Sequence, residues 1–478
     1  MDQTQICEAI TAEFPYRPTE DQSELIGRLA GFISGSNPTP LFVLKGYAGT
    51  GKTTIVSSLV KLLPRLQMDS VLLAPTGRAA KVLASYSGKT ALTIHKKIYR
   101  LQTAADGTLG VGLQLNKHRD TVFIVDEASM IPGNRIAAND SLFGGSNLLD
   151  DLFRFVYNHK NCRMILIGDT AQLPPVQSPE SPALNTGFLQ DHYGLKAAGH
   201  ELTEVVRQSK HSGILYNATL LRRQLLTGQA GFPGFRTKDF PDMIRTRGAE
   251  AADEVDNAFV SQGKEEALMI CRSNNRARLY NQHIRQRVLF MEEEVNAGDL
   301  LMVVRNNYFW LPQNSEAGFI ANGDIMELKR IRRLENLHGF RFADVTARLT
   351  DYPDEADVEA KILLDTLDTN TPALPPADRK RLYEAVSADY QDIPNKRSRL
   401  AKIKKDPYLN ALQVKFAYAM TCHKAQGGQW KHVFIEMGYL PGNEPDTGYL
   451  RWLYTALTRA TSKVYLLNFS EEFFIDND

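Results

Sequence analysis

The chain has 478 residues, of which 43% are hydrophobic and 23% charged, with a formal net charge of +1. That length exceeds one ordinary core and predicts two main α/β domains with smaller insertions, while the near-neutral balance excludes nucleic-acid binding by bulk charge and leaves only a local groove for it. No apolar run would span a bilayer, Met1-Asp2-Gln3-Thr4-Gln5 starts no signal peptide, and Cys7, Cys162, Cys271 and Cys422 lie too far apart for zinc or disulfide spacing, so a reducing cytoplasm is the expected compartment.

Pro18-Thr19-Glu20-Asp21-Gln22 has two readings. Thr19 with Gln22 fits a helix capping box, or the Gln22 amide reads an adenine edge with its donor and acceptor. Leu41-Phe42-Val43-Leu44 then reads as a buried strand, and 53–63 as a helix stopped by Pro64. Between them stands Gly46-Tyr47-Ala48-Gly49-Thr50-Gly51-Lys52-Thr53, a complete phosphate-binding loop in its proper strand–loop–helix setting. Glycines let backbone N–H groups close around phosphate oxygens, and the helix N-terminus adds positive potential. The expected nucleotide contacts are Gly46, Ala48, Gly49, Thr50, Gly51, Lys52, Thr53 and Thr54.

Three further strands share one habit. Val71-Leu72-Leu73-Ala74 runs into Pro75-Thr76-Gly77-Arg78, Val122-Phe123-Ile124-Val125 into Asp126-Glu127-Ala128-Ser129, and Met164-Ile165-Leu166-Ile167 into Gly168-Asp169-Thr170-Ala171-Gln172. Buried parallel strands with polar carboxyl ends place those ends around one cleft. Residues 97–119 contain Ala105-Asp106-Gly107, a hairpin signal, and 137–147 reads as a polar loop. The second half repeats the pattern. Strands at 267–271, 300–304 and 416–420 precede Arg272-Ser273-Asn274, Arg305-Asn306-Asn307 and Thr421-Cys422-His423-Lys424. Further strands at 433–435 and 464–467 flank a helix from about 448 to 461, which makes a second α/β domain. Residues from about 329 to 412 read as a charge-rich insertion with helices near 378–388 and 395–405.

Several of these residues carry chemistry. Lys52 reaches β- and γ-phosphates, and Thr53 and Asp126 supply oxygens for Mg²⁺. Glu127 can orient and deprotonate an attacking water. The Gln172 amide can touch both the γ-phosphate and that water, or close a loop ahead of Pro174-Pro175. Arg207, in Val205-Val206-Arg207-Gln208, and Arg459, in Leu457-Thr458-Arg459-Ala460, each read either as an ion-paired surface arginine or as an arginine finger from a second domain. Pro75, Thr76, Thr93, His95, Asn274, Thr421 and His423 stand at strand ends and suit sugar-phosphate contacts, although the two histidines taken alone read more readily as structural. Tyr86, Tyr99, Tyr308, Phe309 and Trp430 offer stacking faces to bases or ordinary packing.

The order of these segments resembles that of superfamily-one DNA helicases of the RecD-like and Dda-like 5′→3′ group, over about residues 16–468. Its marks are Thr19-Glu20-Asp21-Gln22 (Q motif), Gly46 to Thr53 (motif I), Ala74-Pro75-Thr76-Gly77-Arg78 (Ia), Thr93-Ile94-His95 (Ib) and Asp126-Glu127-Ala128-Ser129 (II). They continue with Gly168-Asp169-Thr170-Ala171-Gln172-Leu173 (III), Val206-Arg207-Gln208 (IV), Thr421-Cys422-His423-Lys424-Ala425-Gln426-Gly427 (V) and Tyr454 to Ala460 (VI). The resemblance implies two RecA-like P-loop domains, 1–206 and 207–478, with ATP and Mg²⁺ between them and single-stranded DNA across both. It favours Gln22 as adenine reader, Arg207 and Arg459 as fingers, and the His95 and His423 segments as strand contacts. Residues 97–119 stand where the family carries its duplex-splitting pin. Residues 329–412 stand where it carries an SH3-like insertion, but look more helical than such a β module. Cys422 departs from the aliphatic residue or threonine more usual in motif V, and no nuclease carboxylate cluster is recognisable.

The expected activity is an ATP-dependent DNA helicase, monomeric, acting on single strands and single-strand/duplex junctions in repair or recombination, with no membrane partner. One alternative is a DNA-stimulated translocase that remodels or loads without separating strands. Another is a nucleotide-gated scaffold, against which the intact Lys52, Asp126, Glu127 and Arg459 stand. RNA as the track stays open, because no residue here reads a 2′-OH.

Overall fold

The computed structural model describes residues 1–35, 40–103, 109–133, 147–176, 178–206, 212–312, 315, 319–352 and 354–475. Arg207, the tip of the 97–119 hairpin and all of 137–147 but its last residue lie outside the described residues. The chain folds as two RecA-like P-loop domains with two inserted subdomains, the fold class that the resemblance implies.

The first half supplies β1 (Leu41–Gly46), β2 (Asp69–Ala74), β3 (Ala91–Thr93), β4 (Tyr99–Thr103), β5 (Leu109–Leu113), β6 (Thr121–Val125), β7 (Arg163–Gly168) and β8 (Ala197–Leu202). Six of them form a parallel sheet in the order β3-β2-β6-β7-β1-β8. Its central strands are continuous apolar runs because both faces are covered. Leu25, Ile26 and Leu29 of the Glu20–Ser34 helix pack with Ile55, Val56 and Leu59 of the Lys52–Leu62 helix over Phe42 and Leu44. Leu149, Leu152 and Phe153 of the Leu148–Tyr157 helix pack with Leu41, Val43 and Phe123 on the other face. Sequence reading missed the edge strands. β8 is half exposed, and its Gly199 lets the backbone close on β1, since a Cβ there would lie 2.9 Å from Val43 O. β4 and β5 pair as the expected antiparallel hairpin, from Tyr99–Leu113 to Thr103–Leu109.

The second half adds β9 (Met243–Thr246), β10 (Ala267–Cys271), β11 (Leu300–Val303), β12 (Ile325–Leu337), β13 (Phe340–Leu349), β14 (Val358–Leu363), β15 (Leu412–Phe416), β16 (Ala419–Thr421), β17 (Trp430–Glu436) and β18 (Ala460–Leu467). A second parallel sheet runs β16-β10-β17-β18-β9, and β11 to β15 close a barrel. Two sequence readings change here. The 300–304 strand is not part of the α/β sheet, for β11 pairs antiparallel with β12 and β15 in the barrel. The 416–420 run is two strands, since the chain leaves the barrel at Phe416 and enters the parallel sheet at Ala419. The expected helices are present as Pro376–Ala388 and Lys396–Lys404. They do not replace a β module: the first attaches to one, with Leu382 and Val386 packed on Phe340, Phe342 and Leu363.

Candidate active site

The carboxyl ends of β1, β6 and β7 meet the turn at Thr458 and Arg459 and the start of β18 in a cleft of about 410 Å³. Gly49 and Gly51 carry left-handed φ of 76° and 85°, which only glycine adopts without strain. A Cβ on Gly51 would lie 2.6 Å from Gln22 Nε2, and one on Gly46 3.0 Å from Leu202 Cβ, so this backbone cradle depends on missing side chains. Lys52 Nζ donates to Gly46 O (2.6 Å) and Tyr47 O (2.8 Å), which holds the ammonium inside the curve of the loop.

Gln22 takes the capping reading. Thr19 caps the helix, with its hydroxyl accepting Gln22 N–H at 3.3 Å while Gln22 Oε1 accepts Thr19 N–H at 3.0 Å. The amide nitrogen donates to Thr50 O in the phosphate loop at 3.0 Å. Gln22 is 3% exposed, so the capping box fixes the loop from behind and leaves each amide atom one hydrogen-bonding valence.

Asp126 and Glu127 follow β6. Asp126 Oδ1 accepts Glu127 N–H at 2.8 Å. Burial, then Glu127 beside it, raises the Asp126 carboxyl above its usual range, and Lys52 and Arg459 pull it back. Glu127 sits at φ 50°, a left-handed conformation uncommon outside glycine, which turns its carboxylate toward the cleft's far wall. That wall is Arg459, whose Nη1 lies 3.6 Å from Glu127 Oε1. The guanidinium is held on its own domain by Thr455 O (3.1 Å), Gly428 O (3.4 Å) and Thr458 Oγ1 (3.2 Å), and is 4% exposed. Gln172 is buried in the same cleft with no hydrogen-bond partner for Oε1 among the described residues. Arg222 of the Gly213–Thr227 helix lies over the Tyr47 ring at 4.4 Å, a second described arginine at the phosphate loop.

These residues fit a nucleotide with Mg²⁺. The cradle is backbone, the cation is Lys52, and Asp126 with the Thr53 hydroxyl would hold the metal. Among the described residues no three His, Cys, Asp or Glu side chains group so as to hold a metal ion by themselves. A sparse protein ligand set completed by phosphate oxygens and water is how Mg²⁺ binds in such sites.

The strand-end residues divide between the sheets. In the first, Thr76 and Thr93 cap helices, accepting Ala79 N–H and Lys96 N–H, each at 3.2 Å. β2 and β3 set them side by side, with Ala74 in register with Thr93 and Pro75 following. Burial lowers His95 to about 4, so its ring is neutral at pH 7 and brings no cation to a phosphate. In the second sheet, Cys271 pairs with Thr421, which puts Asn274 and Thr421 at one pocket. His423 is exposed on the short helix that follows. Sequence reading missed Lys415 and Lys424 in that pocket, each brought down to about 8, mainly by burial. The two edges meet at Gly427, where a Cβ would lie 3.1 Å from Thr76 Oγ1. The barrel joins them: Lys96 donates to Tyr352 Oη at 2.6 Å and lies 3.9 Å from Asp324, and Lys81 donates to Thr350 O at 3.1 Å. Of the aromatics offered for stacking, Tyr99 and Trp430 are packing residues, bonded to Asp151 at 2.7 Å and covered by Arg78 at 4.2 Å. Tyr308 packs at a tilt on Phe319 and Phe309 meets Trp310 edge to face, while Tyr86, 51% exposed, borders the nucleotide cleft.

Two parallel sheets, a glycine cradle with its lysine, a paired carboxylate and an arginine facing it from the other sheet define the class of two-domain P-loop ATPases. The AAA-domain family matches residues 19–229, and the UvrD-like helicase C-terminal domain matches 416–467. An uncharacterised protein of Acanthamoeba polyphaga mimivirus is 24% identical over 91% of this chain and 97% of its own length. The ATP-dependent RecD2 DNA helicase of Deinococcus radiodurans is 31% identical over 44% of this chain and 24% of that protein, and the ATP-dependent DNA helicase dda of Enterobacteria phage T4 is 32% identical over 35% and 34%. In these matches the chain is similar to superfamily-one helicases of the RecD-like and Dda-like group. Its matches span about a quarter of the RecD2 protein and a third of the phage protein. No helix among the described residues is long and apolar enough to cross a membrane.

Proposed function

We propose that this chain is an ATP-dependent DNA helicase that translocates 5′→3′ on single-stranded DNA and separates duplex ahead of it. The observation that carries this is the approach of Arg459 to Glu127 across the cleft. An arginine from one domain that faces the carboxylate of the other makes hydrolysis depend on domain closure. Lys52 and the backbone of Gly46, Ala48, Gly49, Thr50, Gly51, Thr53 and Thr54 bind the phosphates, and Gln22 supports the loop and the adenine side. Mg²⁺ on Thr53 and Asp126 supplies charge neutralisation when bound. Glu127 orients and deprotonates the water, Gln172 senses the cleft contents, and Arg459, with Arg207, stabilises charge in the transition state. The strand lies along Pro75, Thr76, Thr93 and His95 of one domain and Asn274, Thr421 and His423 of the other. Each domain's grip on it differs between the open and closed states, which gives stepping its direction.

The β4–β5 hairpin is the proposed wedge. Deletion of residues 102–114 is expected to abolish separation of a duplex bearing a 5′ single-stranded tail while leaving ATPase stimulation by single-stranded DNA intact. Unwinding by the deleted protein at the wild-type rate would remove the hairpin from its role. Preference for a 3′ tail would reverse the proposed polarity.

A further inference from the structure

The Thr447–Leu457 helix places Arg451, Tyr454 and Thr455 at i, i+3 and i+4, on one face. That face grips the loop after β7. Arg451 donates to Thr170 O at 2.7 Å, and Thr455 Oγ1 accepts Leu173 N–H at 2.8 Å. Gln426 adds a bond to Leu173 O at 2.8 Å. Tyr454 reaches further. It is 1% exposed, and its hydroxyl accepts Ala48 N–H of the phosphate loop at 3.0 Å while donating to Asp169 Oδ2 at 2.5 Å. Asp169 is 2% exposed and takes Ala171 N–H on its other oxygen at 2.9 Å. A phenol has one proton to give, and here both its donor and acceptor functions are used. Hydrogen bonds to a carboxylate in a dry site are the strong kind. A tyrosine kept only for ring packing would need neither partner.

We propose that Tyr454 is a positioning residue through which the second domain sets the conformation of the phosphate loop, so that strand binding changes nucleotide affinity. This rests on the nucleotide and single-strand reading given above. The link is direct: one hydroxyl joins Ala48, four residues before Lys52, to Asp169, three residues before Gln172. Movement of the Tyr454 helix shifts both at once. By reciprocity, nucleotide binding then changes affinity for the strand by the same factor.

The test is equilibrium titration with a fluorescent ADP analogue, with and without an oligothymidine strand. Wild type, Tyr454→Phe, Asp169→Asn and the double variant are compared, with Lys52→Ala as reference. In the wild type the strand is expected to change the nucleotide Kd by about fivefold or more. Tyr454→Phe is expected to bring that ratio within about twofold of unity, Asp169→Asn to do the same, and the double variant to add nothing further. Asp169→Asn carries the test alone if Tyr454→Phe does not fold. A wild-type ratio in either folded variant overturns the proposal, as does a wild-type nucleotide Kd that the strand leaves unchanged. Wild type that binds nucleotide no better than Lys52→Ala sinks the nucleotide reading itself, a distinguishable result.

Discussion

Arg459→Ala is expected to lower ATP turnover by about 10³-fold or more, the range over which arginine fingers act. The side chain is buried, anchored by three bonds to its own domain, and aimed at Glu127. Its removal deletes the one described cation that the second domain brings within 4 Å of that carboxylate. Arg459→Lys separates charge from geometry. A lysine keeps the charge but cannot hold Thr455 O, Gly428 O and Thr458 Oγ1 together while facing Glu127, so its turnover is expected to stay far below wild type. Single-turnover hydrolysis at saturating ATP, on protein whose circular dichroism matches wild type, measures this. Normal hydrolysis by Arg459→Ala would show that domain closure does not supply the transition-state charge.

Glu127→Gln is expected to keep ATP binding and to lose turnover by about 10²- to 10⁴-fold, the contribution of a positioned general base. The change is isosteric, and glutamine tolerates the φ of 50° no worse than glutamate does, so the loop geometry persists. Charge and basicity go. The neighbouring Asp126 loses a like charge that helps raise its pKa. Binding by fluorescent nucleotide and hydrolysis by phosphate release separate the two effects. Wild-type turnover in this variant would remove Glu127 from its role.

The nucleotide half of the site is legible in the sequence because its parts are local. A glycine loop between a buried strand and a helix needs only eight consecutive residues to be recognised, and Asp126-Glu127 is legible as a strand-end pair. The far wall is legible only through motif order, since nothing local in Leu457-Thr458-Arg459-Ala460 separates a finger from a surface arginine. The bond from Tyr454 to Ala48 spans 406 positions, and no period or propensity reports it. Arg207, its expected companion, lies outside the described residues.

The barrel failed to read as β for a physical reason. β12 has register shifts between Leu328 and Arg330 and between Ile331 and Arg333. Each bulge adds a residue on one strand and breaks the alternation of a flat ladder. Apolar residues therefore recur at Leu328, Ile331, Leu334 and Leu337, a spacing of three among lysines and arginines that imitates an exposed helix. The stretch 300–304 misled in the opposite sense. A short buried apolar run looks the same in a parallel sheet and in a barrel, and only its partners, β12 and β15, decide which it joins.

The most direct test of the account is steady-state ATPase activity with and without a single-stranded DNA oligonucleotide, with Lys52→Ala as the blank. The account predicts strong stimulation by the strand that disappears in the variant. Activity that DNA leaves unchanged, or that only RNA raises, would contradict a DNA-driven motor and leave a P-loop ATPase of another purpose.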